Sequence, residues 1–176
     1  MKKFKIILFA LALSVSPHIY AQISSNIKWM SISEAEQAAK QQPKKIIIDI
    51  YTDWCGWCKR LDATTYKNED IVKYINDNFY AVKLNAESKD KITFQGKDYS
   101  YDPSKKINNV ATNFLSQSPG YPTTTFLSEN FEVLSIVPGY MPSDQLINVL
   151  KYFGENHYQK EDWNTYLSSV SKDSKQ

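Results

Sequence analysis

Cysteine and histidine are scarce in this sequence. Two of each occur among the 176 residues, and the cysteines, Cys55 and Cys58, lie three positions apart. Structural zinc sites use four Cys or His ligands. One copy of the chain does not supply such a set once the N-terminal segment, which carries one of the histidines, is removed. The sequence therefore predicts no metal site.

A large charge of one sign is also missing, since the net charge is +2. Residues 1–21 depart from the rest: three lysines precede an apolar run over 6–15, and Ala21 follows a Ser-Pro pair. This layout is typical of a secretory signal peptide cleaved after Ala21. A membrane anchor is the alternative, although a spanning helix needs about 20 apolar residues. Cleavage removes three lysines and no acid, so the charge becomes −1. We expect a periplasmic or otherwise exported protein that does not bind nucleic acid.

Both cysteines follow an apolar, β-branched run over residues 46–51. Such a run predicts a buried strand that delivers the cysteines to the start of a helix. There the unpaired backbone N–H groups and the helix dipole stabilise a thiolate. Cys55, nearest the helix start, is expected to be the nucleophile and the more exposed thiol. A purely structural disulfide is the alternative, because disulfides persist outside the cytoplasm.

Hydrophobic periodicity and capping signals predict the remaining elements. The predicted strands cover residues 28–30, 46–51, 80–84, 123–127 and 132–137. The predicted helices begin with a Ser33/Glu36 capping box, at the cysteines, after Asn68, at Asp102-Pro103, at Ser143 and near Trp163. Residues 91–101 alternate around Gln95-Gly96 and predict a small hairpin.

This order of elements, with the dithiol after the second strand, resembles the thioredoxin fold, an α/β fold with a central mixed sheet flanked by helices. The segment WCGWCK at residues 54–59 resembles the family's WCxxCK active site. Asp49 and Lys83 match the family's buried aspartate and its lysine partner. Residues 120–123 resemble the loop that carries the cis-proline, here Pro122, and Gly139 matches the glycine after the last strand.

The resemblance places a thioredoxin-like domain at residues 22–154, followed by a C-terminal helical extension and tail at 155–176. Trp57 stands where thioredoxin has proline, and an insertion near residues 87–101 lengthens the connection after the third strand. Both departures are similar to exported bacterial thioredoxin-like proteins, including the C-terminal domain of the membrane disulfide carrier DsbD.

The resemblance also implies roles. Cys55 attacks a disulfide, Cys58 resolves the mixed disulfide, and Asp49, paired with Lys83, relays the proton for Cys58. An edge-facing aspartate and a solvated lysine are the alternatives for that pair.

The backbone of Tyr121 beside a cis Pro122 is expected to bind an extended substrate segment, with an ordinary turn proline as the alternative. Trp54 and Trp57 are expected to form an apolar rim for the substrate, although Trp54 could simply pack beside the site.

The sequence thus predicts an exported thiol-disulfide oxidoreductase that uses no cofactor and reduces protein disulfides. Its expected partners are protein thiols or disulfides and a membrane electron carrier that resupplies the reducing dithiol. A disulfide oxidase or isomerase is one alternative. A non-catalytic binding module with an inert disulfide is another.

Overall fold

A computed structural model describes residues 26–116 and 120–173. The predicted signal peptide lies outside these residues. Five strands form one mixed sheet: β1 (Trp29–Met30), β2 (Lys45–Tyr51), β3 (Phe79–Asn85), β8 (Thr123–Leu127) and β9 (Val133–Pro138). Their order across the sheet is β1-β3-β2-β8-β9. Strands β1, β3 and β2 run parallel, whereas β8 and β9 are antiparallel to their neighbours.

The central strand β2 is buried along nearly its whole length. The side chains of Ile46 and Ile48 are fully buried, and so is that of Asp49. In the register of the sheet, Asp49 lies opposite Lys83 on β3 and opposite Thr124 on β8. Residues opposite one another in a sheet project from the same face. Three polar side chains therefore form a row across the middle of the sheet.

Helices cover both faces of this sheet. The helices are α1 (Ile32–Gln41), α2 (Gly56–Ala63), α3 (Glu69–Asn78), α4 (Ser143–Gly154) and α5 (Trp163–Asp173). One core joins Ile47 and Phe126 of the sheet to α2, α3, α4 and α5. The other joins Ile46 and Ile48 to α1 and to Phe94. A mixed sheet between two helical layers confirms the predicted fold class. Within the described residues, no helix combines the length and the apolar character needed to cross a membrane.

The predicted hairpin around Gln95-Gly96 is confirmed as β4 (Ile92–Phe94) and β5 (Lys97–Tyr99). It is fastened to α1, because Ser33 Oγ donates to the carbonyl of Thr93 and the backbone N–H of Gln95 donates to Glu36. The predicted cap of α1 is wrong by two residues. Ser31 and Glu34 form the capping box. The Ser-x-x-Glu spacing occurs both at Ser31/Glu34 and at Ser33/Glu36, but Glu36 instead accepts the hydrogen bond from the hairpin.

The helix predicted from Asp102 is wrong. The chain forms two short paired strands there, β6 (Tyr101–Asp102) and β7 (Ile107–Asn108), followed by a single 3₁₀ turn at Ala111–Asn113. The carboxylate of Asp102 accepts bonds from the N–H and Oγ of Ser104 and closes a tight turn instead of capping a helix. Lys106 takes a positive φ of 54°, which no helix allows.

Candidate active site

The two cysteines lie where β2 passes into α2. The N–H of Cys55 donates to the carbonyl of Thr52 at 3.1 Å, which turns the chain after the strand. Cys55 is the N-cap residue of α2, and the N–H of Cys58 donates to its Sγ at 3.0 Å. The two residues form a disulfide and are 4% and 2% exposed. The difference in exposure expected between them is therefore small in the disulfide-bonded state.

An ion cluster joins β2 and β3 to α2, the helix that carries Cys58. Asp49 is 0% exposed, and its Oδ2 accepts a 2.5 Å bond from Lys83 Nζ. The same ammonium group also binds Asp62 of α2, whose side chain is 46% exposed. Lys83 thus joins a fully buried carboxylate to one that reaches solvent. The pairing of Asp49 with Lys83 that the resemblance implied is present in the structure.

Burial has the largest effect on the pKa of Asp49. Desolvation and, less strongly, the charge of Asp62 raise the pKa of its carboxyl, whereas the charge and hydrogen bond of Lys83 lower it, and the net result is a pKa of about 6. Desolvation lowers the pKa of Lys83, but the two carboxylates outweigh it and the net shift is upward. At neutral pH the lysine is charged, and the aspartate can take up or release a proton close to its pKa.

Three aromatic rings enclose the Lys83 ammonium. The rings of Trp29 and Tyr51 lie 5.1 Å from Nζ and that of Tyr66 lies 5.4 Å away, distances typical of cation–π contacts. The hydroxyl of Tyr66 is buried, and desolvation together with the charge of Asp49 raises its pKa well above the usual value. Within the described residues, Asp49 Oδ1 and Tyr66 OH make no hydrogen bond. The site is thus rich in polar atoms but closed to solvent around Asp49.

The loop before β8 contacts the segment that carries the cysteines. The Tyr121–Pro122 peptide bond is cis. The carbonyl of Pro122 accepts a 2.8 Å bond from the N–H of Gly139, so the loop is tied to the end of β9. The ring of Tyr121 meets that of Trp54 edge to face at 5.8 Å. This contact brings the predicted proline loop next to the cysteine segment.

Two tryptophans flank the disulfide and project outward. Trp54 is 66% and Trp57 55% exposed, and within residues 26–116 and 120–173 they are among the few large apolar side chains exposed to solvent. The indole N–H of Trp54 donates to Glu87 at 3.0 Å. The ring of Trp57 lies 5.5 Å from that of Tyr140. Such exposed apolar groups beside a reactive pair are suited to contact a substrate.

The comparisons with known proteins agree with this geometry. The family model described as Thioredoxin-like domain matches residues 32–154, well over half of the chain. The chain belongs to the thioredoxin-like family. The protein disulfide-isomerase C17H9.14c of Schizosaccharomyces pombe is 32% identical to this thioredoxin-like chain over 65 residues, which cover 37% of the chain and 18% of that protein. Matches to two further curated relatives cover 10% and 16% of their length, so the chain spans a small part of these relatives.

Solved structures show the same thioredoxin-like fold. A structure of the oxidoreductase DsbH superimposes with a TM-score of 0.55 at 17% identity, covering 81% of this chain and 92% of that one. The structure of a putative disulphide-isomerase from Bacteroides thetaiotaomicron superimposes with a TM-score of 0.52 at 24% identity, covering 75% and 95%. At these identities the likeness establishes the fold alone.

The thioredoxin-like site contains groups that the sequence reading missed. Asp62 lies four residues after Cys58 on α2, and Arg60 lies three after Trp57. Residues at these spacings share a helix face, so the spacing could have indicated both. Tyr140 and Glu87 could not be found in this way, because their contacts with Trp57 and Trp54 join segments far apart in the chain.

Proposed function

We propose that this protein is an exported thiol-disulfide oxidoreductase that reduces disulfides in other proteins. The observation that carries the proposal is a redox-capable Cys55–Cys58 pair at the start of α2, backed by buried Asp49 and bordered by the cis-proline loop. The fission-yeast relative is named a disulfide-isomerase, and the two solved structures are named an oxidoreductase and a putative disulphide-isomerase, which supports the same class. The signal-peptide pattern of residues 1–21 supports export.

The first step uses the reduced protein. The Cys55 thiolate attacks one sulfur of a substrate disulfide, a Cys55–substrate disulfide forms, and the other substrate sulfur leaves as a thiolate. The thiolate of Cys55 is stabilised by its place at the helix N-terminus and by the N–H of Cys58, which points at its Sγ. The leaving thiolate takes a proton from solvent.

The second step releases the product. Cys58 loses its proton to Asp49 and attacks the Sγ of Cys55, which forms the Cys55–Cys58 disulfide and frees the second substrate thiolate. Two electrons have then passed from the dithiol to the substrate. Asp49 suits the acceptor role because burial raises the pKa of its carboxyl to about 6, nearer to that of a thiol than an exposed carboxyl is. Lys83 holds the carboxylate in place.

Substrate binding is assigned to the exposed rim. An extended segment pairs with the backbone of Tyr121 beside Pro122, while Trp54 and Trp57 cover the apolar residues around the substrate cysteine. Each turnover leaves this protein oxidised, so a reductant must restore the dithiol. In an oxidising compartment this implies a membrane electron carrier as a second partner.

The reduction potential of the Cys55/Cys58 couple tests the direction of transfer. The purified protein is equilibrated with mixtures of reduced and oxidised dithiothreitol or glutathione, and the free thiols are then alkylated and counted. A potential near that of thioredoxin, about −270 mV, supports a reductase. A potential near about −120 mV would instead assign a disulfide oxidase. A disulfide that does not equilibrate at all would leave only a binding module.

A further inference from the structure

The guanidinium of Arg60 lies against two aromatic rings at the edge of the dithiol site. Its Cζ lies 5.4 Å from the ring of Trp57 and 5.5 Å from the ring of Tyr140. Tyr140 is itself fastened to α2, because its hydroxyl lies 3.2 Å from Thr64 Oγ1. Two aromatic contacts and a tethered ring restrict where this long, exposed side chain can go.

The charge of Arg60 is available to a partner. Among residues 26–116 and 120–173, the ion pairs are made by lysines and by His157, and no carboxylate lies within salt-bridge distance of Arg60. A guanidinium carries five N–H donors, and their planar fork matches the two oxygens of a carboxylate. The contacts with Trp57 and Tyr140 therefore place these donors beside the dithiol segment.

The two exposed tryptophans have neighbours of opposite charge. Trp54 is hydrogen-bonded to Glu87, and the exposed Asp53 precedes it. Lys59 and Arg60, both exposed, follow Trp57 in the chain. A substrate segment that contacts both tryptophans would thus meet carboxylates near Trp54 and cations near Trp57. Complementary charges of this kind favour one substrate over another more than they add affinity.

We propose that Arg60 makes this protein prefer disulfide substrates that carry an acidic side chain close to the reacting cysteine. The proposal rests on the proposed function and names its substrate class. Arg60 lies five residues along α2 from Cys55, which is about 7.5 Å at a rise of 1.5 Å per residue. An extended segment advances about 3.4 Å per residue. The acidic residue is therefore expected about two positions from the substrate cysteine.

The test uses the reduced protein and disulfide-bonded peptides that differ only at one position. Glu or Lys is placed two residues before the cysteine in one pair of peptides and two residues after it in another. We expect the rate constant kcat/KM to be about twofold to fivefold higher for Glu than for Lys in one of these pairs, as solvent-exposed ion pairs allow. The preference should shrink toward unity in 1 M NaCl, where the Debye length is about 3 Å.

Arg60→Gln should abolish this preference and Arg60→Glu should reverse it. Lys59→Gln is the matched control, because it removes the neighbouring exposed charge, which stacks on neither ring, and the preference should persist. Equal rates for the Glu and Lys peptides with the unmodified protein, or an unchanged preference in Arg60→Gln, would overturn the inference.

A small uncharged disulfide, hydroxyethyl disulfide, separates the two proposals. If the protein reduces it but ignores peptide charge, only the role of Arg60 fails. If the protein exchanges with neither hydroxyethyl disulfide nor any peptide, the proposed function fails with it.

Discussion

Replacing Asp49 by asparagine should stabilise the oxidised protein at neutral pH. The buried carboxyl has a pKa of about 6, against 3.8 for an unperturbed aspartate. Between these pH values the folded state keeps a proton that the unfolded state has lost, so stability is full below about pH 4 and falls as the pH rises through 6. Asparagine imitates the protonated carboxyl at every pH, so the variant does not incur this loss.

The size of the effect follows from the shift. A difference of about 2 pKa units corresponds to about 3 kcal/mol in the free energy of unfolding. For a chain of this length, that raises Tm by about 6 to 12 °C. Lys83 is not left unpaired in the variant, because it still binds Asp62.

The assay is urea unfolding of both oxidised proteins at pH 3.5, 5 and 7, with the disulfide kept closed. The two midpoints should coincide at pH 3.5 and separate progressively up to pH 7. Asp62→Asn is the matched control: it makes the same change at the half-exposed partner of Lys83 and should give no comparable gain. An Asp49→Asn protein that is less stable at pH 7, or a difference that does not vary with pH, would refute the assignment of a desolvated carboxyl.

Three further predictions concern the dithiol and the frame that holds it. Cys58→Ser should accumulate a mixed disulfide through Cys55, seen as a mass increase on a non-reducing gel, and Cys55→Ser should not. Ser31→Ala removes the capping box with Glu34 and should cost about 1 kcal/mol in chemical denaturation; an unchanged midpoint would contradict it. Gly139→Ala meets no atom within 4 Å but forces alanine to a φ of +100°, so thermal unfolding should show a loss of about 1 to 2 kcal/mol from backbone strain alone.

The predictable parts of the fold depended on local patterns. Strand β2 is predictable because a short run of β-branched residues is typical of a buried strand. Helix α3 is predictable because Asn68 caps a strongly amphipathic stretch. The segment after Asp102 was predicted as a helix because apolar residues recur there at helical spacing. In the structure Val110 and Phe114 are buried at the two ends of a 3₁₀ turn and not on an α-helix, since the tight turn at Asp102 redirects the chain. Periodicity alone cannot show which of two local hydrogen-bonding options an aspartate takes.

At the site, the resemblance predicts the residues that match the family's motif. Residues that reach the site only through tertiary contacts could not be predicted. Asp49 and Lys83 come together as implied. The second carboxylate on Lys83 and the ring on which Arg60 stacks come from other elements, Asp62 on α2 and Tyr140 after β9. Their roles depend on how α2 lies over the sheet, which no local pattern specifies.

The spacing of the two cysteines has a thermodynamic consequence. The disulfide closes a ring of only four residues, so in the chain-entropy description it restricts the unfolded chain by about 2 kcal/mol, against nearly 5 kcal/mol for a loop of a hundred residues. Reducing the disulfide therefore adds little conformational freedom to the unfolded chain. Most of the stabilisation therefore rests on the cores on both faces of the sheet, as the reversible two-electron exchange in the proposed function requires.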